Sequence, residues 1–332
     1  MTTLKDIAQK SGVSISTVSH VINNTRPVSH RAREKVLKAM TELNCVEDFS
    51  IRKKVPSRLI AIIIDDFQNP FFIEIFMAAE NTARMMGYNL VVIQSMFRDD
   101  DLLYIQDLQN DDIKGYIIAT RLRMSFIKTI FSMKVPVVFL GSSTEYPLSS
   151  GLILPDERGV FLATEHLINL GHRDILALGG PKDVLLFKNR YRGYQSALQE
   201  YGIDVNPELQ ISIHPNFRES YQTMKSLLEQ KKVQFSAVVT QNDITACGVM
   251  AAAREYQIKI PEELSIVGFD NTYLSQLTYP RLTSIQIQKD FIGKRLVEIL
   301  IRLINGQNPE TYQIEDAELI IRESTAPPKK LS

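Results

Sequence analysis

From Leu59 onward the chain alternates short apolar runs with segments whose apolar residues recur every three to four positions. Residues Leu59–Ile64, 89–93, 115–119 and 136–140 read as strands, and 70–87, 99–110 and 123–133 read as the amphipathic helices between them. After Pro155-Asp156 the alternation restarts. A helix over 158–170 is followed by a strand over 174–178, a helix over 189–201 and a strand over 209–213. A helix over Phe217–Gln230, a strand over Ala237–Thr240, a helix over 243–257 and a strand over 264–268 complete the series. Apolar strands alternating with helices predict parallel sheets covered on both faces, and two such runs predict two doubly wound lobes. In sheets of this kind a ligand binds beyond the carboxyl ends of the strands.

The first 44 residues carry a different pattern, that of three short helices. Thr3 reads as the N-cap of a helix over Leu4–Ser11, with Asp6 three residues on and Leu4, Ile7 and Ala8 inward. Gly12-Val13 makes a turn in which Gly12 is free to take positive φ. Ser14 caps a second helix, Ile15–Asn23, that buries Val18, Val21 and Ile22. Ser29 caps a third, ending near Leu43, with Ala32, Val36, Ala39, Met40 and Leu43 inward. Two short helices across a glycine turn, steadied by a third, make a helix-turn-helix. Its second helix presents Ile15, Ser16, Thr17, Ser19, His20 and Asn23 outward. Such uncharged, hydrogen-bonding side chains suit base edges, while the surrounding Arg and Lys residues suit phosphates. The same pattern would also serve a three-helix protein-binding module.

Charge sharpens the division. The 332 residues are neutral overall, yet residues 1–58 hold 11 basic and five acidic side chains, leaving the remainder at −6. A cationic front piece on an anionic body suggests a polyanion-binding module joined to something else. With 44% hydrophobic residues and only 2 Cys, the composition excludes disordered and disulfide-scaffold classes. The longest apolar run, Leu59–Ile64, falls far short of the roughly 18 residues a membrane span needs. The N-terminus has no apolar signal region, and Cys45 and Cys247 match no metal or redox spacing. A cytoplasmic protein is expected.

Leu4-Lys5-Asp6-Ile7-Ala8, Gly12-Val13-Ser14 and Thr17-Val18-Ser19-His20-Val21-Ile22-Asn23 resemble the headpiece of the lac repressor (LacI/GalR) family, its purine repressor branch above all. The resemblance implies that Ile15, Ser16 and His20 read bases. Thr3, Ser14, Thr17, Ser19, Asn23, Ser29 and Arg33 then take phosphate-contacting or capping positions, with Arg26 among the positioning cations. In the family a hinge helix follows, whose paired leucines wedge open a minor-groove step. Here the matching residues are Ile51, Arg52, Lys53 and Lys54, with lysine at the leucine position. A buried ammonium between bases is costly. Either Ile51 becomes the wedge, or the segment is a basic linker that contacts only phosphates.

The strand ends of the body carry Asn69-Pro70-Phe71-Phe72, Asn242-Asp243 and Gly268-Phe269-Asp270-Asn271, with Arg190 expected to begin a helix near another. Aromatics can stack on a ring face while Asn, Asp and Arg meet its polar edge, although Asp and Asn at such places also serve as helix caps. These segments, with Gly171-His172-Arg173 and Gly179-Gly180-Pro181, recur in the same family and in its ribose-binding-protein-like cores. The resemblance assigns effector contacts to Asn69, Phe71, Phe72, Arg190, Asn242, Phe269 and Asp270. Gly141-Ser142 stands where Asp-Arg is frequent, and Ile287 where a pocket glutamine is usual, so the clamp for a plain pentose is incomplete. His172 and Arg173 read as structural.

The expected fold is therefore α/β: an all-α helix-turn-helix headpiece (1–45), a linker (46–58) and two doubly wound, Rossmann-like lobes of the periplasmic-binding-protein type (59–332). The first lobe is expected over 59–156 with 288–314, and the second over 157–285 with 315–325. Dinucleotide, phosphate-loop, serine-hydrolase and zinc-protease motifs are absent, and the five His show no metal spacing, so no catalytic residue, metal or cofactor is expected. The expected function is an operator-binding transcriptional regulator, most simply a repressor, that works as a homodimer controlled by a small effector such as a sugar. The tail after Ile321 has no heptads, which favours a dimer over a tetramer. A small-molecule sensor that has lost DNA binding is the alternative, given Lys54.

Overall fold

The computed structural model describes residues 2–23, 26, 28–43, 45, 58–64, 66–94, 113–119, 132, 134–141, 150–182, 184–230, 234–308 and 311–329. The helices expected over 99–110 and 123–133 fall almost wholly outside these residues, as do Ile51, Arg52, Lys53 and Lys54 of the linker. The chain forms two compact units, 1–57 and 58–332.

In the first unit, α1 (Leu4–Ser11) starts at a capping box. Thr3 Oγ1 accepts from the Asp6 amide at 3.3 Å, and Asp6 Oδ2 accepts from the Thr3 amide at 2.7 Å. Donation from the Thr3 amide and from the Thr3 hydroxyl holds the Asp6 carboxyl below its ordinary range. Gly12, at φ +67°, closes the helix in the left-handed region. Ser14 Oγ accepts from the Thr17 amide at the start of α2 (Ile15–Asn23), and Ser29 Oγ accepts from the Ala32 amide at the start of α3 (His30–Glu42). Ile7, Val18, Val21, Val36, Met40 and Cys45 make one small core. Cys45 is thus packed as an apolar side chain.

The second unit holds two six-stranded sheets. The N-lobe contains β1 (Leu59–Ile64), α4 (Pro70–Met85), β2 (Asn89–Gln94), β3 (Ile113–Ala119), β4 (Val137–Leu140) and β5 (Ser150–Ile153). The chain then enters the C-lobe with α5 (Asp156–Asn169), β6 (Ile175–Gly179), α6 (Leu185–Glu200), β7 (Gln210–Ser212), α7 (Phe217–Gln230), β8 (Ala237–Thr240), α8 (Asp243–Glu255), β9 (Ser265–Asp270), α9 (Leu274–Leu277) and β10 (Thr283–Gln286). It returns through α10 (Lys289–Ile304) and β11 (Thr311–Gln313) before β12 (Glu318–Ile320) rejoins the C-lobe. The N-lobe order is β11-β5-β4-β3-β1-β2, all parallel. The C-lobe order is β12-β10-β9-β8-β6-β7, with only β12 antiparallel. Three crossovers, at 154–155, 287–288 and 314–317, therefore join the lobes.

The structure adds α9, β10, α10, β11 and β12 after the last strand the sequence reading listed, and differs from it in other details. Helix α6 begins at Leu185, so Arg190 lies in its second turn rather than at its start. Its apolar periodicity begins at Leu185, upstream of the expected boundary. Strand β10, Thr-Ser-Ile-Gln, has no apolar run, yet Thr283 and Ser284 are fully buried. They fit because the Thr283 amide donates to Ser324 Oγ and Ser284 Oγ donates to Asp243. Strand β5 contains Gly151 and similarly lacks an apolar run like the six residues of β1.

One apolar cluster runs through both lobes and includes Ile62, Ile75, Leu152, Tyr194, Phe269 and Leu296. It is tight where α5 crosses α6. A Cβ on Gly193 would lie 2.1 Å from the carbonyl oxygen of Glu157. Gly193→Ala should therefore force the two helices apart and cost about 1–3 kcal/mol in urea unfolding. An unchanged unfolding midpoint would mean that the crossing is looser than this geometry requires.

Candidate functional site

On the headpiece, α2 exposes Ile15 (49%) and Ser16, whereas Thr17, Ser19 and His20 are half-buried. Thr3, Ser14 and Ser29 spend their hydroxyl oxygens as helix caps, and the Thr3 hydroxyl also donates to Asp6 Oδ2 at 2.7 Å while that of Ser14 shares a 2.8 Å bond with Thr17 Oγ1, so the first-turn amides are the groups these helix starts offer an anion. Arg26 is exposed and Arg33 half-buried on the same unit. The side chain of Asn23 lies outside the described residues. This face offers an apolar contact and hydroxyls, with cations nearby on the unit.

In the second unit, strand order reverses about β1 and β6, so carboxyl ends at β1/β3 and β6/β8 are the topological switch points. At the end of β1, Asn69 caps α4, its Oδ1 accepting from the Phe71 amide at 3.1 Å. Pro70, which needs no amide partner, is the first residue of the helix. The rings of Phe71 and Phe72 meet edge to face with centroids 5.3 Å apart. At the end of β8, Asn242 caps α8, its Oδ1 accepting from the Thr245 amide (2.9 Å) and hydroxyl (2.6 Å). Both asparagines therefore have structural duties at the positions the resemblance gives to the effector.

Arg190, Phe269 and Asp270 form the polar centre of the C-lobe. Arg190 is 5% exposed; its Nε donates to Asp156 Oδ1 at 2.8 Å and its Nη1 to the carbonyl oxygen of Gln241. Its guanidinium carbon lies 3.9 Å from the centroid of the Phe269 ring. Gly159 of α5 makes room for that ring, since a Cβ there would approach Phe269 to 2.6 Å. Asp270, the last residue of β9, is 3% exposed with φ +94°. No described residue donates a hydrogen bond to its carboxylate. Burial pushes its pKa up to about 7, against the pull of Arg190.

The sequence reading gave no effector role to four residues here. Asp156 is the buried partner of Arg190, and burial raises its pKa while the guanidinium opposes that rise. Asp243 accepts from Ser284 Oγ, the Thr272 amide and Thr272 Oγ1, tying β10 and the turn after β9 to α8; burial brings its pKa to about 6. Gln241 is 4% exposed, and its Oε1 has no described hydrogen-bond partner. Lys289 is 7% exposed at the start of α10. Only the neighbourhood of Gln241 and Asp243 to Asn242 was a signal in the sequence. Ile287 is buried in the apolar cluster, and His172 bonds Ser236, Ser265 and the Ala326 carbonyl. A separate depression of about 480 Å³, walled by Ile153, Pro155, Phe161, Ser196 and Gln313, shares Asp156 with the polar centre. Among the described residues no group of side chains could hold a metal, and no helix is long and apolar enough to cross a membrane.

Residues 3–46 match the family of bacterial regulatory proteins of the lacI type, and residues 164–325 match the periplasmic binding protein-like domain. The HTH-type transcriptional repressor PurR of Pasteurella multocida is 31% identical over 334 residues, covering 98% of each chain. The chain belongs to the LacI family. Among solved LacI-family structures, the lac repressor dimer bound to operator and an anti-inducer aligns with a TM-score of 0.74 and 27% identity, covering 98% of this chain and 99% of that one. A LacI-family regulator from Enterococcus faecium with bound ribose aligns at 0.73 and 26% identity, over 82% of this chain and all of that one. This LacI-family protein is a transcriptional regulator, with an all-α headpiece and two parallel-sheet lobes.

The environment of Asp270 makes a pH signature. An unfolded aspartate titrates near 3.8, whereas folded Asp270 titrates at about 7. Between those values the folded state holds a proton that the unfolded chain has lost, so this group's contribution to stability falls as pH rises and is lost above about 7. Asp270→Asn removes the dependence. Its melting temperature relative to wild type should climb from pH 4 to pH 7 and then level off; a pH-independent difference would show that Asp270 titrates normally.

Proposed function

We propose that this LacI-family regulator binds operator DNA as a cytoplasmic homodimer through α2 and senses a neutral, hydroxyl-rich metabolite between its lobes. The observation that carries the sensing half is the surplus of buried acceptors. Gln241 Oε1 is buried without a described partner, and the 3% exposed Asp270 accepts no side-chain hydrogen bond from a described residue, beside a guanidinium stacked on an aromatic ring. A sugar supplies hydroxyl donors to the oxygens and an apolar face to aromatics. Phe71 and Phe72 would close on it from the N-lobe, with the amide nitrogen of Asn69. Arg190 would take a ligand oxygen without leaving Asp156. The incomplete pentose clamp, with Gly141 and Ile287 in place of polar side chains, favours a sugar other than a plain pentose.

The DNA half rests on α2. In the major groove Ile15 would meet thymine methyls, while Ser16 and His20 would meet base edges. Arg26, Arg33 and the capped helix starts at Thr3, Ser14 and Ser29 would hold phosphates, with Thr17, Ser19 and Asn23 beside them. Lys53 and Lys54 fit a linker that follows phosphates rather than one that wedges bases. Exposed Ile73, Met77 (60%) and Met85 (78%) on α4, and Leu277 and Tyr279 on the C-lobe, suit the surface of a second copy. A twofold dimer then reads two half-sites of a near-palindrome. A non-enzymatic role follows, because every buried acid in the cleft is placed to hold rather than to react. Lys54 alone favours the second reading, a sensor without DNA binding.

Fluorescence anisotropy on fragments enriched from genomic DNA tests the first half. The wild type should bind a selected fragment with affinity that falls steeply as salt rises. His20→Ala should reduce discrimination against random duplex by about tenfold or more, leaving nonspecific affinity nearly unchanged. Equal losses on all duplexes would remove His20 from base reading, and salt-insensitive or absent binding would favour the pure sensor. For the second half, D-ribose, D-glucose and cellobiose should be compared by thermal shift. At least one should raise the melting temperature of wild type, and Asp270→Asn should abolish that rise. An undiminished rise in the variant would take Asp270 out of the pocket.

A further inference from the structure

The turn that carries Asp270 is held from the opposite lobe. Asp270 and Asn271 are consecutive non-glycine residues in the left-handed region, at φ +94° and +47°. Such backbone persists only where surrounding contacts over-determine it. Two sets of contacts do so. Within the C-lobe, the Asn271 amide donates to Ser284 Oγ, and the Thr272 amide donates to Asp243 Oδ2 at 2.6 Å. From the N-lobe, the buried Lys289 ammonium donates to the carbonyl oxygens of Asp270 (2.6 Å) and Asn271 (3.0 Å), and to that of Ile287 in its own crossover (3.2 Å).

The charge of Lys289 is met by Glu74 of α4, whose Oε2 lies 3.4 Å from Nζ. The other oxygen of Glu74 accepts from the Tyr273 amide at 3.2 Å. Helices α4 and α10 pack directly against each other in the N-lobe. An N-lobe ion pair thus grips three successive parts of a C-lobe turn, and every bond that crosses between lobes there goes to backbone. Gripping backbone makes the contact sensitive to the position of the turn and indifferent to most side-chain substitutions in it.

We propose that Glu74 and Lys289 are positioning residues that clamp the lobes onto the 270–273 turn and thereby aim the Asp270 carboxylate at the effector. The clamp stands on its own geometry; its consequence for ligand binding rests on the reading of Asp270 given above. Opening the cleft withdraws the ammonium from the Asp270 and Asn271 carbonyls. The carboxylate is then correctly placed only in the closed form, so a ligand that engages Asp270 is selective for closure.

The clamp is testable on the full-length protein without ligand, by amide hydrogen exchange at single-residue resolution. Tyr273 and Thr272 are neighbours, but the Thr272 amide is bonded inside its own lobe and serves as the control. Glu74→Ala should speed exchange at Tyr273 at least tenfold and leave Thr272 within threefold of wild type. Lys289→Gln should do the same if it folds, and Glu74→Ala, on a partly exposed side chain, decides the matter if it does not. An unchanged Tyr273, or Tyr273 and Thr272 rising together, overturns the clamp. Titration with D-ribose, D-glucose and cellobiose then tests positioning. Glu74→Ala should weaken at least fivefold any sugar that binds wild type, and an unchanged affinity overturns the positioning role while leaving the sensor reading intact. A wild type that answers to none of the three sinks the sugar-sensor reading and the positioning role with it, while the exchange data still report on the clamp.

Discussion

Charge buried at the carboxyl edge of the C-lobe sheet is the constraint on which the rest of this structure depends. A guanidinium removed from water must be paired and hydrogen-bonded. Arg190 meets that demand with Asp156 from α5, the Gln241 carbonyl from the end of β8 and the face of Phe269 from β9. Each partner comes from a different element, so the ion fixes where three carboxyl-edge segments lie relative to one another. Phe269 in turn needs the bare backbone of Gly159 beneath it. Losing either member of the Arg190–Asp156 pair would leave the other charge buried alone, which is more damaging than never having had the pair.

Helix α4 runs from the switch point of the N-lobe sheet to an exposed apolar stripe. Its first turn carries Asn69, Phe71 and Phe72 at a switch point, its second carries Glu74 against the C-lobe turn, and its outer face exposes Ile73, Met77 and Met85. A ligand that drew the lobes together, as proposed, would act on all three because they share one helix. Movement of α4 would therefore be felt wherever its exposed apolar stripe is covered.

Much of the fold could be read from the sequence because its signals are local. Continuous apolar runs such as Leu59–Ile64 can only be strands buried on both faces, and Thr3, Ser14 and Ser29 announce helix starts within three residues of the amides they cap. The alternation of strand and helix also placed Asn69, Asn242 and Asp270 at carboxyl ends. What could not be read are partnerships across long separations. Nothing near Asp156 points to Arg190, and Asp243 looks like an ordinary first-turn acid until Ser284 and Thr272 arrive from elsewhere in the chain. Lys289 likewise resembles any polar residue at a helix start; only the approach of the other lobe buries it. Strand β10 was hidden for the same reason, since the hydrogen bonds that let Thr283 and Ser284 be buried come from residues 243 and 324.

Reciprocal linkage between operator and metabolite is the deciding measurement. The affinity of the full-length protein for its selected duplex should be measured with and without a saturating sugar that raises its melting temperature, and the affinity for that sugar with and without duplex. The same factor of change is expected in both titrations, well away from unity. Duplex affinity that is indifferent to a sugar bound at Asp270 would contradict it.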